Sequence, residues 1–213
     1  MTAPRGSGPV IAILGAESTG KSELARALNG ALRERGLPCS LVEEHLRDWC
    51  IREGRTPRID EQAAIAGEQS RRIALAAAQG WVVADTTALM TAIYSDLLFD
   101  DRSLYDPALL ELRETTRFTL VTALDLPWVA DGLQRDGPHV REPVDALLRA
   151  ALQRGRIGYS VVHGRGAQRL ANALRAIGLA DAQPGAERSL RPCEKCSDPE
   201  CEHRLFSDLL NAP

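Results

Sequence analysis

The chain contains, at residues 15–22, the stretch Gly15-Ala16-Glu17-Ser18-Thr19-Gly20-Lys21-Ser22. Its Gly-x-x-x-x-Gly-Lys-Ser spacing is that of a phosphate loop, in which the glycines let backbone N–H groups turn toward phosphate oxygens. The apolar run Val10–Leu14 precedes the loop and has the pattern of a buried strand. Apolar residues spaced for one face of a helix follow Ser22. A strand, a phosphate loop and an amphipathic helix in this order predict a P-loop nucleotide-binding domain.

The side chains of the loop suit a nucleoside triphosphate bound with Mg²⁺, which we expect to be ATP. Lys21 is expected to face solvent and to neutralise the β- and γ-phosphates, and the Ser22 hydroxyl is expected to ligate Mg²⁺. The helix that begins near Lys21 directs the positive end of its dipole toward the same phosphates. The predicted nucleotide-binding residues of the loop are Gly15, Glu17, Ser18, Thr19, Gly20, Lys21 and Ser22.

Short apolar stretches alternate with helical patterns as far as residue 178, which predicts an α/β P-loop NTPase fold with a parallel five-stranded sheet and helices on both faces. The predicted strands are Val10–Leu14, 39–44, Trp81–Asp85, 117–124 and 159–163. The predicted helices follow Ser22 and span 60–79, Ala88–Phe99, 107–115, 142–153 and 166–178. Right-handed crossovers would place the loops that follow the strands along one edge of the sheet.

Asp85 closes the third predicted strand, where the carboxylate that holds Mg²⁺ beside a phosphate loop is usually found. An aspartate followed by two threonines can instead cap the next helix. The two roles are compatible if Thr87 is the cap. Asp85 and Ser22 are therefore the predicted Mg²⁺ ligands.

Further motifs follow the phosphate loop in a fixed order: Glu44-His45-Leu46-Arg47-Asp48, Gly67-Glu68-Gln69, Asp85-Thr86 and Pro127-Trp128-Val129-Ala130-Asp131-Gly132-Leu133. Together with Glu17-Ser18 they resemble the ribosylnicotinamide kinase domain of NadR-type proteins, over about residues 10–178. The resemblance implies an ATP-dependent phosphotransferase of NAD biosynthesis that phosphorylates the 5′-hydroxyl of nicotinamide riboside. It also implies an acceptor site after the second strand and a lid around Asp131. This chain departs from the family at Gln134-Arg135, where arginine usually follows Gly-Leu directly.

A kinase that acts on a hydroxyl needs a carboxylate within hydrogen-bonding reach of that hydroxyl. Glu44 is the first candidate because it ends a strand at the active edge, and Asp48 is the second. Arg47, Trp49 and Tyr94 are the predicted contacts of the nucleoside. The alternative for the charged segment is a solvated turn, and the alternative for the aromatics is a place in the core.

Phosphoryl transfer also needs cations on the moving phosphoryl group. Arg135 and Arg141 are the predicted lid cations, with Arg154 and Arg156 as the next candidates. Arg165 lies between two glycines after the fifth strand, where P-loop kinases often contact the adenine. A simple turn explains those glycines as well.

The C-terminal segment, 181–213, is predicted to be a linker followed by a metal-binding tail, separate from a kinase-like domain at 10–180. Its Cys-x-x-Cys-x₄-Cys-x-His spacing supplies four ligands that suit tetrahedral Zn²⁺. A redox Cys-x-x-Cys pair and free thiols are the alternatives, and the tail offers a docking element for a protein partner. The predicted Zn²⁺ ligands are Cys193, Cys196, Cys201 and His203.

The composition limits the remaining possibilities. The net charge is −3 and aromatic residues make up 4% of the 213 residues, so we expect no nucleic-acid partner. No apolar run is long enough to span a bilayer, and the leader at 1–9 lacks the apolar core of a secretion signal. We therefore expect a cytoplasmic protein without membrane contact that acts on a small nucleoside. A regulatory ATPase, or a nucleotide-dependent binding module that docks through the zinc tail, is the competing hypothesis.

Overall fold

A computed structural model of the chain describes residues 7–129 and 138–180. The chain divides between Ala180 and Asp181 into two units, and all described residues belong to the first. The predictions for Arg135, for the lid around Asp131 and for the tail residues Cys193, Cys196, Cys201 and His203 lie outside the described residues. No helix in the described ranges combines the length and the apolar character needed to cross a membrane.

The described residues form an α/β fold around one five-stranded parallel sheet, which confirms the predicted fold class. The strands are β1 (Val10–Leu14), β2 (Cys39–Val42), β3 (Trp81–Asp85), β4 (Thr116–Thr122) and β5 (Ser160–Val162). The helices are α1 (Lys21–Glu34), α2 (His45–Glu53), α3 (Ile59–Ala77), α4 (Ala88–Phe99), α5 (Tyr105–Thr115), α6 (Arg141–Arg154) and α7 (Gly166–Ala176). A short 3₁₀ turn at Pro138–Val140 leads into α6.

Helices cover both faces of the sheet because successive side chains of β1 point in opposite directions. Ile11 and Ile13 pack against α1 and α7 on one face. Ala12 and Leu14 pack against α4, α5 and α6 on the other. All five residues of β1 are buried, as expected for a strand covered on both faces.

The strand order is β2-β3-β1-β4-β5, so β1 lies at the centre. The chain leaves β1 toward one side of the sheet, to β2 and β3, and later returns to the other side through β4. The order therefore reverses next to the end of β1, which is where open parallel sheets bind their ligands. The phosphate loop begins at that point.

The helix α2 was not predicted from the sequence. Only His45, Trp49 and Cys50 are buried along it, and no side chain caps its first turn. Its apolar stripe is short, because Leu46, Trp49 and Cys50 span little more than one turn, and it lacks the capping residue from which helices are recognised. Gly54, in the left-handed region with φ 67°, ends the helix.

The N-terminal backbone is bound to the fold before β1 begins. The Gly8 N–H donates to the Ala77 carbonyl at 2.7 Å, and the Pro9 carbonyl accepts from the Val82 N–H at 3.0 Å. Gly8 and Pro9, which the sequence placed in the leader, are therefore hydrogen-bonded to the end of α3 and to β3.

Candidate active site

The phosphate loop adopts a backbone path that ordinary residues avoid. Gly15 has φ 150° and Gly20 has φ 75°. A side chain on Gly15 would overlap the hydroxyl of Thr122, and a Cβ on Gly20 would lie 2.9 Å from a methyl group of Leu126. Both glycines are therefore needed, for conformation and for space. Ser18 adopts a left-handed φ of 52° without being glycine.

Two buried hydroxyls fix the inner side of the loop. The Thr19 hydroxyl donates to the Ala16 carbonyl at 2.7 Å. The Thr122 hydroxyl lies 2.7 Å from the Thr19 oxygen and 3.2 Å from the Leu14 carbonyl. The end of β4 thereby braces the loop against the end of β1.

Lys21 does not face solvent, and the expectation that it does is wrong. Its side chain folds back over the loop, so that the residue is 7% exposed and the ammonium donates to the Ala16 carbonyl at 2.8 Å. Burial lowers the pKa of Lys21, while the nearby carboxylates of Glu44, Asp85 and Glu17 oppose that shift. Three acidic side chains thus act electrostatically on one ammonium at the phosphate end of the site.

Glu44, Arg47 and Ser22 form a connected row beside the loop. Glu44 precedes α2, and its carboxylate accepts from the Arg47 guanidinium one turn later at 3.0 Å. A second nitrogen of Arg47 donates to the Ser22 hydroxyl at 3.1 Å. The first-choice acceptor carboxylate is therefore joined through one arginine to the serine predicted to ligate Mg²⁺.

The donor set fits a magnesium ion. Asp85 is buried at the end of β3, and no described residue donates a hydrogen bond to its Oδ1. Thr87, rather than Asp85, caps α4 by accepting from the Leu89 N–H at 3.3 Å. Within 7–129 and 138–180, no group of three or more His, Cys, Asp or Glu side chains could hold a metal alone. Ser22 and Asp85 would therefore share Mg²⁺ with phosphate oxygens, as is usual for this ion.

A buried amide on α3 connects the start of α2 with the end of β3. Gln69 of α3 accepts from the His45 N–H at 2.8 Å and donates to the Thr86 carbonyl at 3.3 Å. The first turn of α2 and the residue after Asp85 are thereby tied to the same side chain. The sequence motif Gly67-Glu68-Gln69 was noted without a role, and this bridge supplies one.

The other predicted acceptor residues, Asp48, Trp49 and Tyr94, make contacts with the surrounding helices and the core. The Asp48 carboxylate is half exposed and pairs with Arg72 at 3.2 Å. Trp49 packs with Cys50 and Ile65, and the Arg55 guanidinium lies 4.8 Å from the centre of its ring. Tyr94 is partly buried against the core that covers α4. This arrangement favours Glu44 over Asp48 as the acceptor carboxylate, and the contacts predicted for Trp49 and Tyr94 stay predictions.

Val129, which precedes the predicted lid in the chain, is bound to the phosphate loop. The Ser18 hydroxyl donates to the Val129 carbonyl at 2.7 Å, and its oxygen lies 3.2 Å from the Val129 N–H. Arg141, predicted as a lid cation, is 8% exposed and donates to the Leu126 carbonyl at 2.9 Å. Its Nε and Nη2 have no hydrogen-bond partner in the described part of the chain.

Arg169 and Asp125 form a junction that sequence reasoning missed. The buried Arg169 guanidinium donates to the Thr19 carbonyl at 2.8 Å, to the Gly164 carbonyl at 2.6 Å and to the Asp125 carboxylate at 2.9 Å. Asp125 also accepts from the Gly164 N–H at 2.6 Å. Burial raises the pKa of Asp125, but the Gly164 and Arg169 hydrogen bonds outweigh it, and the net pKa is lowered. The loops after β1, β4 and β5 meet at this junction.

These elements enclose a cleft of about 740 Å³. Its walls come from the phosphate loop, from α1, from the segment after β4 and from the start of α7. The predicted site residues that line it are Ser18, Thr19, Gly20, Lys21, Ser22, Arg47 and Arg165. Glu44 and Asp85 do not line the cleft, but their negative charges act on Lys21, which does, and oppose the lowering of its pKa by burial.

A family model described as an AAA domain matches residues 10–169. No curated protein sequence matches the chain. Similar solved structures include a NadR protein in complex with NR, with 22% sequence identity and a TM-score of 0.64 over 80% of this chain and 50% of that one. A NadR protein in complex with NAD and AMP-PNP matches with 19% identity and a TM-score of 0.62 over 84% of this chain and 52% of that one.

Deoxyadenosine kinase from M. mycoides, with the products dCMP and a flexible dCDP bound, also has a similar fold. The identity is 14% and the TM-score 0.52, over 80% of this chain and 98% of the kinase. The present chain thus spans about half the length of the two NadR structures and nearly the whole length of the nucleoside kinase. Identities this low establish the fold alone.

Proposed function

Because the chain belongs to the AAA domain family and has a kinase-like P-loop fold, we propose that it is an ATP-dependent phosphotransferase acting on the hydroxyl of a nucleoside. The observation that carries the proposal is the row Glu44–Arg47–Ser22. It joins a carboxylate to the end of the phosphate loop through contacts of 3.0 and 3.1 Å. A carboxylate held at this place could take the proton of an acceptor hydroxyl.

On the donor side, the loop N–H groups and Lys21 would hold the β- and γ-phosphates. Lys21 would exchange its bond to the Ala16 carbonyl for bonds to phosphate oxygens, which relieves part of the cost of its burial. Ser22 and Asp85 would hold Mg²⁺. An ion held there would supply positive charge against the phosphates.

On the acceptor side, Glu44 would orient the hydroxyl and take its proton. The hydroxyl oxygen then forms the new bond to the γ-phosphorus, and the bond from that phosphorus to the β–γ bridging oxygen breaks, so that ADP leaves. Arg47 keeps the Glu44 carboxylate at the phosphate end, because the two groups lie one helical turn apart. A second nitrogen of Arg47 contacts the Ser22 hydroxyl. From there the guanidinium could stabilise negative charge on the phosphoryl group during transfer.

Nicotinamide riboside is the first acceptor that we propose. The support comes from the ordered motifs between Glu17 and Leu133 and from the similar fold of the NadR protein in complex with NR. The fold is shared with a deoxyadenosine kinase as well. Other nucleosides are therefore the natural comparison substrates.

The test is ATP-dependent 5′-phosphorylation of a nucleoside panel that contains nicotinamide riboside, deoxyadenosine, deoxycytidine and uridine. Product is measured by liquid chromatography, with Lys21→Ala as the inactive control. Phosphorylation of nicotinamide riboside alone or fastest is the expected result. If another nucleoside is preferred, the kinase proposal stands and the acceptor assignment falls.

A regulatory ATPase remains the competing proposal. The extra segment 181–213, which offers a docking element, and the departure from the family's lid sequence at Gln134-Arg135 favour it. ATP that binds, or is hydrolysed, without phosphorylation of any nucleoside would make it the better account.

A further inference from the structure

Thr86, the residue after Asp85, has a backbone conformation that threonine rarely adopts. Its φ is 72°, in the left-handed region, where a β-branched side chain is strained. The residue is buried and follows directly on the last residue of β3. A strained conformation of this kind persists only where the surrounding groups hold it, and it is typical of functional sites. The groups that hold Thr86 therefore bear on the place of Asp85.

Hydrogen bonds hold both backbone groups of Thr86. Its N–H donates to the Ile13 carbonyl at 3.1 Å, next to the last paired residues of β1 and β3. Its carbonyl accepts from the Gln69 amide at 3.3 Å. The first bond joins backbone to backbone and needs no particular side chain. Of the two bonds, only the one from Gln69 can be removed by a side-chain substitution.

The two partners of Gln69 fix the orientation of its amide. The His45 N–H can only donate, so it takes the amide oxygen, at 2.8 Å. The Thr86 carbonyl can only accept, so it faces the amide nitrogen. Because Gln69 is buried, both bonds are shielded from competing water. The amide therefore has one orientation that satisfies both partners, and in this orientation its nitrogen faces Thr86.

The Asp85 carboxylate relies on the backbone for its position. No described residue donates a hydrogen bond to its Oδ1, although the atom is buried. The place of that oxygen relative to the phosphate loop is therefore set by the path of the chain through Asp85 and Thr86. If Thr86 relaxed to a common conformation, that path would change and the carboxylate would move with it.

We propose that Gln69 is a positioning residue of the magnesium site. Its amide holds Thr86 in the left-handed conformation and thereby keeps Asp85 where it can ligate the ion. The inference rests on the proposed function, in which Ser22 and Asp85 share Mg²⁺ with phosphate oxygens. Gln69 itself does not line the cleft, so it acts through Thr86 and not by contact with the nucleotide.

The test is the gain in nucleotide affinity that Mg²⁺ provides. Binding of the ATP analogue AMP-PNP to the full chain is measured by isothermal titration calorimetry, with Mg²⁺ and with a chelator. The ratio of the two dissociation constants is the gain. Gln69→Met keeps the length of the side chain and removes both hydrogen bonds. The gain should fall about tenfold or more, as for the loss of an outer partner of a metal site, while affinity without Mg²⁺ stays within about threefold.

An unchanged gain in Gln69→Met would overturn the proposal, because the left-handed turn would then serve only the start of α4. Gln69→Glu examines the Thr86 bond with less disturbance of α2, and it decides the matter if Gln69→Met does not fold. It keeps an acceptor for the His45 N–H and lacks the donor to the Thr86 carbonyl. Its negative charge would attract Mg²⁺, so a fall in the gain would not come from charge. A fall is expected, and a gain at or above that of wild type would overturn the proposal.

Two further variants separate this role from a general loss of packing. Gln62→Met is the matched control, since Gln62 is a buried amide two turns earlier on α3 whose oxygen has no hydrogen-bond partner in the described part of the chain. It should leave the gain unchanged, and an equal fall there would overturn the proposal. Adding Thr86→Gly to Gln69→Met should restore most of the gain, because glycine adopts φ 72° freely. If nothing is recovered, the loss does not arise from the strained backbone and the proposal falls.

These measurements do not require the phosphorylation of any nucleoside. If wild type gains affinity from Mg²⁺ but phosphorylates no nucleoside, the proposed function fails and the test of Gln69 still applies. If wild type gains nothing from Mg²⁺, the proposed metal site fails and this inference fails with it. An unchanged gain in the Gln69 variants of an active kinase removes only this inference.

Discussion

The Ser18 hydroxyl lies between the backbone N–H and the carbonyl of Val129, 3.2 Å from the nitrogen and 2.7 Å from the oxygen. The two residues are 111 positions apart in the chain. Ser18 belongs to the phosphate loop and Val129 to the start of the segment that contains the predicted lid. This contact makes the phosphate loop a fixed anchor for the backbone that leads toward Asp131.

Ser18→Gly removes this anchor without straining the loop, because glycine adopts the left-handed φ of 52° freely. We expect kcat/KM for the nucleotide to fall about three- to tenfold, as for the loss of one or two neutral hydrogen bonds. The melting temperature should change little, since relief of the left-handed backbone roughly offsets the extra entropy of the unfolded chain. Ser40→Ala, on the exposed edge strand β2, is the control. Unchanged kinetics in Ser18→Gly would refute a functional anchor.

Glu44→Gln should lower kcat for nucleoside phosphorylation by about 100-fold or more, with little change in ATP binding, because a positioned base is lost. Glu43→Gln is the matched control, since Glu43 is the preceding residue, is exposed and pairs with Arg26. Asp48→Asn is the informative comparison. If kcat falls more in Asp48→Asn than in Glu44→Gln, Asp48 rather than Glu44 would be the acceptor carboxylate.

Arg141→Ala distinguishes a lid cation from a structural arginine. A cation that acts on developing charge lowers kcat and leaves the ATP dissociation constant nearly unchanged, and this is the expected outcome. An arginine that only supports the Leu126 carbonyl would weaken ATP binding and lower the melting temperature at constant kcat. Arg149→Ala, a partly exposed arginine of the same helix that pairs with Asp145, controls for loss of charge on α6.

The stability of the α2–α3 pair should depend on acidic pH through Glu68. Hydrogen bonds from Arg71 and Arg72 hold the pKa of Glu68 at about 2, against an ordinary 4.5. Because the folded-state pKa is lowered, the stabilisation is present above pH 4.5 and is lost as the pH falls from 4.5 toward 2. The free energy of unfolding, measured with urea, should therefore be higher for wild type than for Glu68→Gln at pH 6. This difference should be smaller at pH 2.5. Glu114→Gln, an exposed glutamate on α5, is the control, and a constant difference for Glu68→Gln would contradict the prediction.

The tail is predicted to carry about one zinc ion per chain, held by Cys193, Cys196, Cys201 and His203. Elemental analysis of protein purified without added metal is the measurement, and thiol titration before and after a chelator is its control. Zinc-free protein with reactive thiols would leave the redox or free-thiol alternatives. Removal of 186–213 should abolish the metal and leave ATP binding unchanged, because the phosphate loop belongs to the other unit.

Sequence reasoning identified the elements that carry a complete local signal. The strand Val10–Leu14, the loop and α1 were located because burial, glycine spacing and helical periodicity agree there. Asp85 was located because it ends an apolar run, and the structure places it at the end of β3. Each of these signals is contained within a few neighbouring residues.

The parts that were missed depend on contacts between distant residues. Arg169 resembles any arginine of an amphipathic helix, and only the fold shows that it meets Thr19 and Asp125. Gln69 likewise owes its role to His45 and Thr86, 24 and 17 positions away. The burial of Lys21 follows from a bend back to Ala16 that the motif alone does not specify.

The bond from Arg169 to the Thr19 carbonyl spans 150 positions of the chain. During synthesis, which proceeds from the N-terminus, the phosphate loop is made early and α7 is made more than a hundred residues later. The loop therefore spends most of the synthesis of this domain without the guanidinium that holds its backbone. The phosphate loop is therefore among the first functional elements to leave the ribosome and among the last to gain all its contacts. A chain that ends before α7 would contain the whole nucleotide motif but not the arginine that holds the loop backbone.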